Sequence, residues 1–264
     1  MHKVTHYLSL ILLIVAAYIV IALQIKALGW VMLLVGAGIT LTLCAKTFRK
    51  EIILLYIAIG CLSFATISTA VTLPNLFSMG IPLAFAVIIP YVIGKYFYKN
   101  PIVQFNFTHE RKWQKKEIGY ILFTALVVYL LLPFFLRVSG SYHNWTVKPD
   151  LFYLFAFFLG INAVGAYDEV FFMSTVQKIL RRHFPFLVAN IGQSCVFTIF
   201  LYELGFRGWI TPGIFLFAFI QGKIFQKTNS LFYLIAIHLT ADFILYLALI
   251  HAYYPPLMPI FLIQ

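Results

Sequence analysis

Apolar residues in this chain of 264 residues gather into long unbroken runs rather than alternating with polar ones. The runs lie near 7–25, 27–45, 51–73, 79–98, 117–137, 151–173, 185–204, 212–226 and 230–253, separated by short polar segments. An α-helix rises 1.5 Å per residue, so about 20 residues cross a ~30 Å hydrocarbon layer. The pattern therefore predicts an all-α, polytopic integral membrane bundle of about nine transmembrane helices. The eighth run is short, and the sixth continues into a polar, turn-rich piece that ends at Arg181-Arg182. Residues 1–23 carry the charge and apolar core of a secretory signal. No small-residue cleavage site leads from them into a soluble domain, so they are read as a retained first span.

Loop charge gives the helices a direction. With the N-terminus cytoplasmic, the inner segments hold Lys3, Lys46, Arg49, Lys50, Lys95, Lys99, Arg111, Lys112, Lys115, Lys116, Lys178, Arg181, Arg182, Lys223 and Lys227. The outer segments hold only Lys26, Arg137, Lys148 and Arg207. Such a split in strict alternation is the positive-inside pattern, and it places the C-terminus outside. The net charge of +11 is then a cytoplasmic-side marker beside anionic lipid rather than a nucleic-acid footprint. A bacterial inner membrane is the expected setting.

Composition agrees: 10% of residues are charged, against about 25% in soluble domains. Cys44, Cys61 and Cys195 fall in apolar stretches at spacings that fit neither a disulfide framework nor a metal site. The longest polar segment, Tyr98 to Lys116, is one basic loop. It divides the chain into N-terminal helices (1–116) and a C-terminal membrane core (117–264). Pro255-Pro256 and Pro259 end the last span and leave an apolar tail at the outer interface.

The candidate chemistry lies in the second half. Asp168 and Glu169 interrupt the run Leu151 to Met173, which has no other charge. A carboxylate at the bilayer centre costs roughly 2.5–3.5 kcal/mol on insertion scales, so a pair of them faces a bundle interior or a wet cavity and marks a site. Asp168 stands 13 residues before Arg181, whereas His238 and Asp242 stand 11 and 15 residues after Lys227. On the helical rise these are comparable depths, roughly 16–22 Å from the basic rim. His238 and Asp242, at i and i+4, share one helix face. Two carboxylates and an imidazole together hold the ingredients of water activation. A structural role for the acid pair, bonded to Asn190, Gln193 or Tyr202, is the bland alternative. Glu203 with Arg207 at i+4 reads as a surface ion pair, His251 as interfacial, and His183 as a solvated turn. No phosphate loop, HExxH zinc helix or GxSxG nucleophile is present. Ser194-Cys195 has no adjacent base. No cofactor is expected, and a divalent metal is left open.

The same residues resemble the CPBP family of intramembrane endopeptidases, the CAAX-processing and bacteriocin-processing (Abi) proteins. That family's EExxxR, FxxxH and HxxxN/D motifs align with Asp168-Glu169 through Met173, Phe197 through Leu201, and His238 through Asp242. The segment from Gln221-Gly222 to Leu231 is similar to the family's lead-in to its last motif. The resemblance implies an intramembrane protease, with Glu169, Asp168, His238 and Asp242 as catalytic residues. Its substrate would be a membrane-anchored or lipidated peptide and its surroundings membrane lipid, with no nucleic acid. Departures accompany it: Asp168 stands for the first glutamate, Leu201 for the motif histidine and Met173 for the motif arginine. Either the chemistry is rebuilt from Glu169, Glu203, His238 and Asp242, or the chain is a non-catalytic relative that binds a peptide or partner protein. A proton-coupled carrier is a third reading, for which no internal repeat is visible.

The loop charges make a direct prediction. Cysteines placed at Lys116 and at Lys148 should differ in intact cells, with an impermeant thiol reagent labelling position 148 alone; the reverse pattern would invert the orientation.

Overall fold

The computed structural model describes residues 2–262 apart from 66, 68 and 108–112. Of the inner cations, Arg111 and Lys112 lie outside the described residues. Among those described there are helices, turns and extended connections, and no strand. Eight helices are long and apolar enough to cross a membrane. They are α1 (Lys3–Ala22), α2 (Lys26–Leu43), α4 (Leu73–Phe97), α5 (Lys115–Ser139), α6 (Leu151–Arg181), α7 (Phe186–Glu203), α8 (Gly208–Thr228) and α9 (Leu231–Tyr253). Between α2 and α4 lies α3 (Lys46–Leu62), a shorter helix of 17 residues.

Two sets of contacts define the two ends of the bundle. At one end, Arg49 reaches Leu41 O (3.1 Å), Lys178 reaches Gln104 O (3.1 Å), and the Tyr233 hydroxyl donates to Glu117 O (2.9 Å). At the other, Lys26 donates to Ser63 O (2.7 Å), Thr69 to Asn144 O (2.5 Å) and Tyr254 to Val147 O (3.2 Å). The first end holds the basic segments, and the second is poor in cations. Short as it is, α3 joins the same two ends as α2.

The third run illustrates how apolarity outlasts a helix. It was expected over 51–73, but α3 starts at Lys46 and ends at Leu62; Ser63 and Phe64 form a turn, and the described residues from there to the cap of α4 are not helical. Thr72 caps α4 by accepting from Asn75 N, and Pro74 occupies its first turn, where no amide is needed. Thr69, Ala70 and Val71 of this connection line a cavity.

The sixth helix differs in the opposite sense. Its polar continuation is not a turn: the helix runs on to Arg181 through a π-helical stretch, Glu169–Gln177. All of that stretch except Val170 is buried, which accounts for Ser174, Thr175 and Gln177 in its sequence. Phe171 and Phe172 pack there against one another, and Phe172 also meets Phe197 and Phe200 of α7. One apolar core spans α1, α2, α3, α4, α6 and α7. A second joins α5, α6, α9 and the C-terminal tail.

Two histidines are placed differently from the expectation. His183 is not solvated: its Nε2 lies 2.8 Å from Glu51 Oε2, the atom that Arg182 Nε also reaches at 2.8 Å. Burial pulls the His183 pKa below the usual histidine value, against the opposing pull of Glu51. His251, read as interfacial, is covered by protein, because the tail folds back over it. Met258 O lies 2.9 Å from its Nδ1, and Phe261 stacks on Tyr129.

Close packing of α1 on α2 rests on Gly29. A Cβ there would stand 2.5 Å from Val20 Cβ and 2.8 Å from Val20 Cα, so backbone has to move. Gly29→Ala should cost about 1–3 kcal/mol and lower the melting temperature in detergent. Gly38→Ala, with open space around it, should be neutral or slightly stabilising by its helix propensity. Equal melting temperatures for the two variants would show that the hairpin is not packed as described.

Candidate functional site

The site forms where α6, α8 and α9 converge. The α-helical part of α6 delivers Asp168, and the π-helical part begins with Glu169. Single-turn π insertions recur at functional sites because a widened turn re-aims neighbouring side chains. Here both acids reach the same imidazole. Glu169 Oε1 lies 2.8 Å from His238 Nδ1, and Asp168 Oδ2 lies 3.9 Å from Nε2. Asp242, one turn along α9, places Oδ1 3.9 Å from the same Nε2. A carboxylate only accepts hydrogen bonds, so Nδ1 donates to Glu169 and Nε2 faces the other two acids.

All four side chains are buried: Glu169 is 0% exposed, Asp168 2%, His238 5% and Asp242 8%. The ring of His238 is fixed edge-on against Phe217 (5.5 Å between centroids) and tilted over Phe197 (6.0 Å). Gln221 of α8 reaches Glu169 Oε1 from the other side at 3.4 Å. Several oxygens keep no partner, among them Asp168 Oδ1, Glu169 Oε2 and Asp242 Oδ2. Such groups are costly to bury bare, so acids left in this state point to a role other than packing.

A cavity of about 360 Å³ meets these groups. Its far end is lined by Thr69, Ala70 and Val71 of the α3–α4 connection and by Trp145, all at the cation-poor end. Its walls are apolar, with Met79, Leu83, Ile161 and Leu245, and its floor is Asp168, His238 and Asp242. Glu169 stands behind His238 and is not part of the wall. On the basic side the cluster is closed by Met173, Phe225, Tyr233, Leu234 and Ile237, each 4% exposed or less.

The remaining expectations divide. Leu201 lines the cavity, in van der Waals surroundings only, and Met173 lies in the closing apolar cluster. Glu203 is apart from the site and pairs with Arg207 at 3.1 Å. Asn190 and Gln193 do not bond the acids. They reach Phe219 O (2.8 Å) and Ala218 O (2.9 Å) of α8 instead, while Gln177 bridges Asn190 and Gly222 O. Among the described residues no group of three His, Cys, Asp or Glu is arranged to hold a metal ion.

Two contributors are absent from the motif pattern. Gln221 lies only in the lead-in to the last motif, with nothing to show that it faces Glu169. Gly165 lies three residues before Asp168, and a Cβ there would run into the Asp242 carboxylate and come within 3.1 Å of His238 Cδ2. Its usable signal is a glycine i−3 to a buried acid.

Comparison with known proteins falls on this segment. Residues 149–244 match the family model of type II CAAX prenyl endopeptidase Rce1-like proteins. The resemblance to the CAAX-processing family thus holds over the stretch that carries Asp168, Glu169, His238 and Asp242. The fold is that of a polytopic, all-helical membrane protein, as that family has. Neither curated proteins nor solved structures give a match.

The glycine beneath Asp242 makes the geometry testable. Gly165→Ala should displace Asp242 and lower the melting temperature, whereas Gly160→Ala, on the same helix with open space around it, should not. If both variants melt with the parent protein, Asp242 does not pack over α6.

Proposed function

We propose that this chain hydrolyses a peptide bond of a membrane-anchored or lipidated peptide, by water activated at the Asp168–His238–Asp242 floor. One observation carries the reading. His238 Nε2 stands 3.9 Å from both Asp168 Oδ2 and Asp242 Oδ1, too far for direct bonds. One water oxygen at ~2.8 Å from each end spans such a gap with an angle near ~90°. The Rce1-like match over the same residues supports the reaction class.

In this scheme the water donates one hydrogen to Asp168 and the other to Nε2. Asp168 takes the first proton as the oxygen adds to the carbonyl carbon, and the carbonyl electron pair moves onto its oxygen. When the carbon–nitrogen bond breaks, the proton returns to the departing amine. Glu169 does not touch the reacting atoms: it fixes the His238 tautomer and ring orientation through Nδ1. Asp242 flanks the ring edge that faces the water, with no direct bond to it. The apolar walls suit the hydrocarbon anchor of the substrate.

A second reading has its own support. Leu201 and Met173 put hydrocarbon where the family motifs carry a histidine and an arginine, which suits a relative that binds peptides without cleaving them.

The test is cleavage of a fluorogenic panel by the protein in proteoliposomes, with lipid-anchored peptides of both prenylated CAAX-ended and internal-bond types. Asp168→Asn should lose about 10²–10⁴-fold, the usual cost of removing a general base. Glu169→Gln should lose less, since its amide oxygen still accepts from Nδ1, and Glu203→Gln should match the parent. If the parent protein and Asp168→Asn are indistinguishable across the panel, the hydrolase reading fails and the binding one replaces it.

A further inference from the structure

The cavity has a direction. From α4 it takes Asn75, Leu76, Met79, Gly80, Leu83 and Ala84, all in the half of that helix nearer the cation-poor end. From α6 it takes residues between Phe157 and Asp168, and from α7 it takes Leu201, close to the helix end at Glu203. The lining stops at Asp168 and His238. Beyond them the buried cluster of Met173, Phe225 and Tyr233 fills the way to the basic end.

The cavity also has a side. Helix α4 meets α6 along the π-helical stretch and stands off from the α-helical stretch before it. The gap is edged by Gly80 and Ala84 on one helix and by Gly160 and Ala163 on the other. Gly80, Ala84 and Ala163 are exposed, and a Cβ at Gly80 or Gly160 would meet nothing within 4 Å. Beside the gap, Phe77, Ile81 and Phe85 of α4 and Phe155 and Leu159 of α6 are exposed, as lipid-facing side chains are. The gap is thus a slot on the lipid face, in the half of the bilayer at the cation-poor end.

What fits the slot is decided by the floor. An acyl chain would set its terminal methyl against Asp168, His238 and Asp242 and leave their polar atoms facing hydrocarbon, which is costly. An extended peptide brings a C=O and, proline apart, an N–H with every residue, while its apolar side chains meet Met79, Leu83 and Ile161. Phe157 to Asp168 is a step of 11 residues, ~16 Å on the helical rise, which about five extended residues span at ~3.3 Å each. We propose that the cavity is served from the cation-poor face: it admits, through the α4–α6 slot, an extended apolar stretch of a peptide anchored in that half of the bilayer. A chain presented at the basic face has no route to the floor. The side of entry is a property of the cavity, whereas cleavage of the bound stretch rests on the hydrolase reading.

The experiment compares right-side-out and inverted membrane vesicles that contain the full-length protein. The exposed face is assigned in each by thiol labelling of Lys148→Cys and Lys116→Cys. The probe is a palmitoylated apolar peptide with one p-benzoylphenylalanine and a charged tag that keeps it in the leaflet to which it is added. After illumination, cross-links to residues 79–84 and 160–164 should be several-fold stronger in vesicles exposing the cation-poor face. Gly80→Trp with Gly160→Trp, which fills the open space of the slot, should remove them. Leu122→Trp, exposed on α5 away from the cavity, should not. Cross-linking no stronger from the cation-poor face than from the basic one, including none from either, overturns the inference, and that comparison needs no variant. So does cross-linking that survives the double Trp variant. Equal labelling of the shaft by a benzophenone-bearing phosphatidylcholine would make lipid the occupant and overturn it too. Cross-linking needs no bond cleavage, so the two readings separate. Labelling from the cation-poor face without cleavage keeps this inference and removes the hydrolase one, and cleavage of peptides added only at the basic face does the reverse.

Discussion

The bond between Glu169 and His238 (2.8 Å) is the contact on which the interior depends. Three acids in the apolar middle of a membrane bundle are unstable by themselves, since each ionised group costs several kcal/mol to place there. The imidazole meets all three, one by direct bond and two at 3.9 Å. The helices that carry them are thereby fixed in rotation: α6 must turn both acids inward, which the π stretch at Glu169–Gln177 allows, and α9 must present His238 and Asp242 together.

Close approach makes that arrangement reachable. Gly165 leaves the space that Asp242 occupies, and Gly222 leaves the space for Asn190 and Gln177. Around the second glycine, Gln177, Asn190 and Gln193 bond to one another and to carbonyls of α8. Interhelical hydrogen bonds of this kind average only about 0.6 kcal/mol each in a membrane. Their contribution is to register: they hold α6, α7 and α8 at one height, so that Gln221 meets Glu169.

Local features of the chain were readable where one helix decides the outcome. The placing of the apolar runs in spans and the i, i+4 spacing of His238 and Asp242 follow from helical geometry, and the Glu203–Arg207 pair closes across the turn just past the end of α7. Features set by distant partners were not readable. Glu51 and His183 are 132 residues apart, so nothing near His183 shows that it is shielded. The apolar connection at 63–72 reads like the end of a helix until the cavity that it lines is known. Adjacent acids also look badly placed to share one target on an ordinary α-helix, about 100° apart, and only the local widening of α6 reconciles them.

Helix α3 sets a condition on how the protein is built. Its first turns hold Lys46, Arg49, Lys50 and Glu51, and most of the rest is covered by neighbouring helices. Of the passes between the two ends of the bundle it alone lacks the length and apolarity expected of an independent span. Its lipid-facing surface is small, so its residence in the bilayer is conferred by α1, α2 and α4 rather than by partition of its own side chains. In that sense α3 is a guest of its neighbours, held by the packing of its buried face and not by its own apolarity.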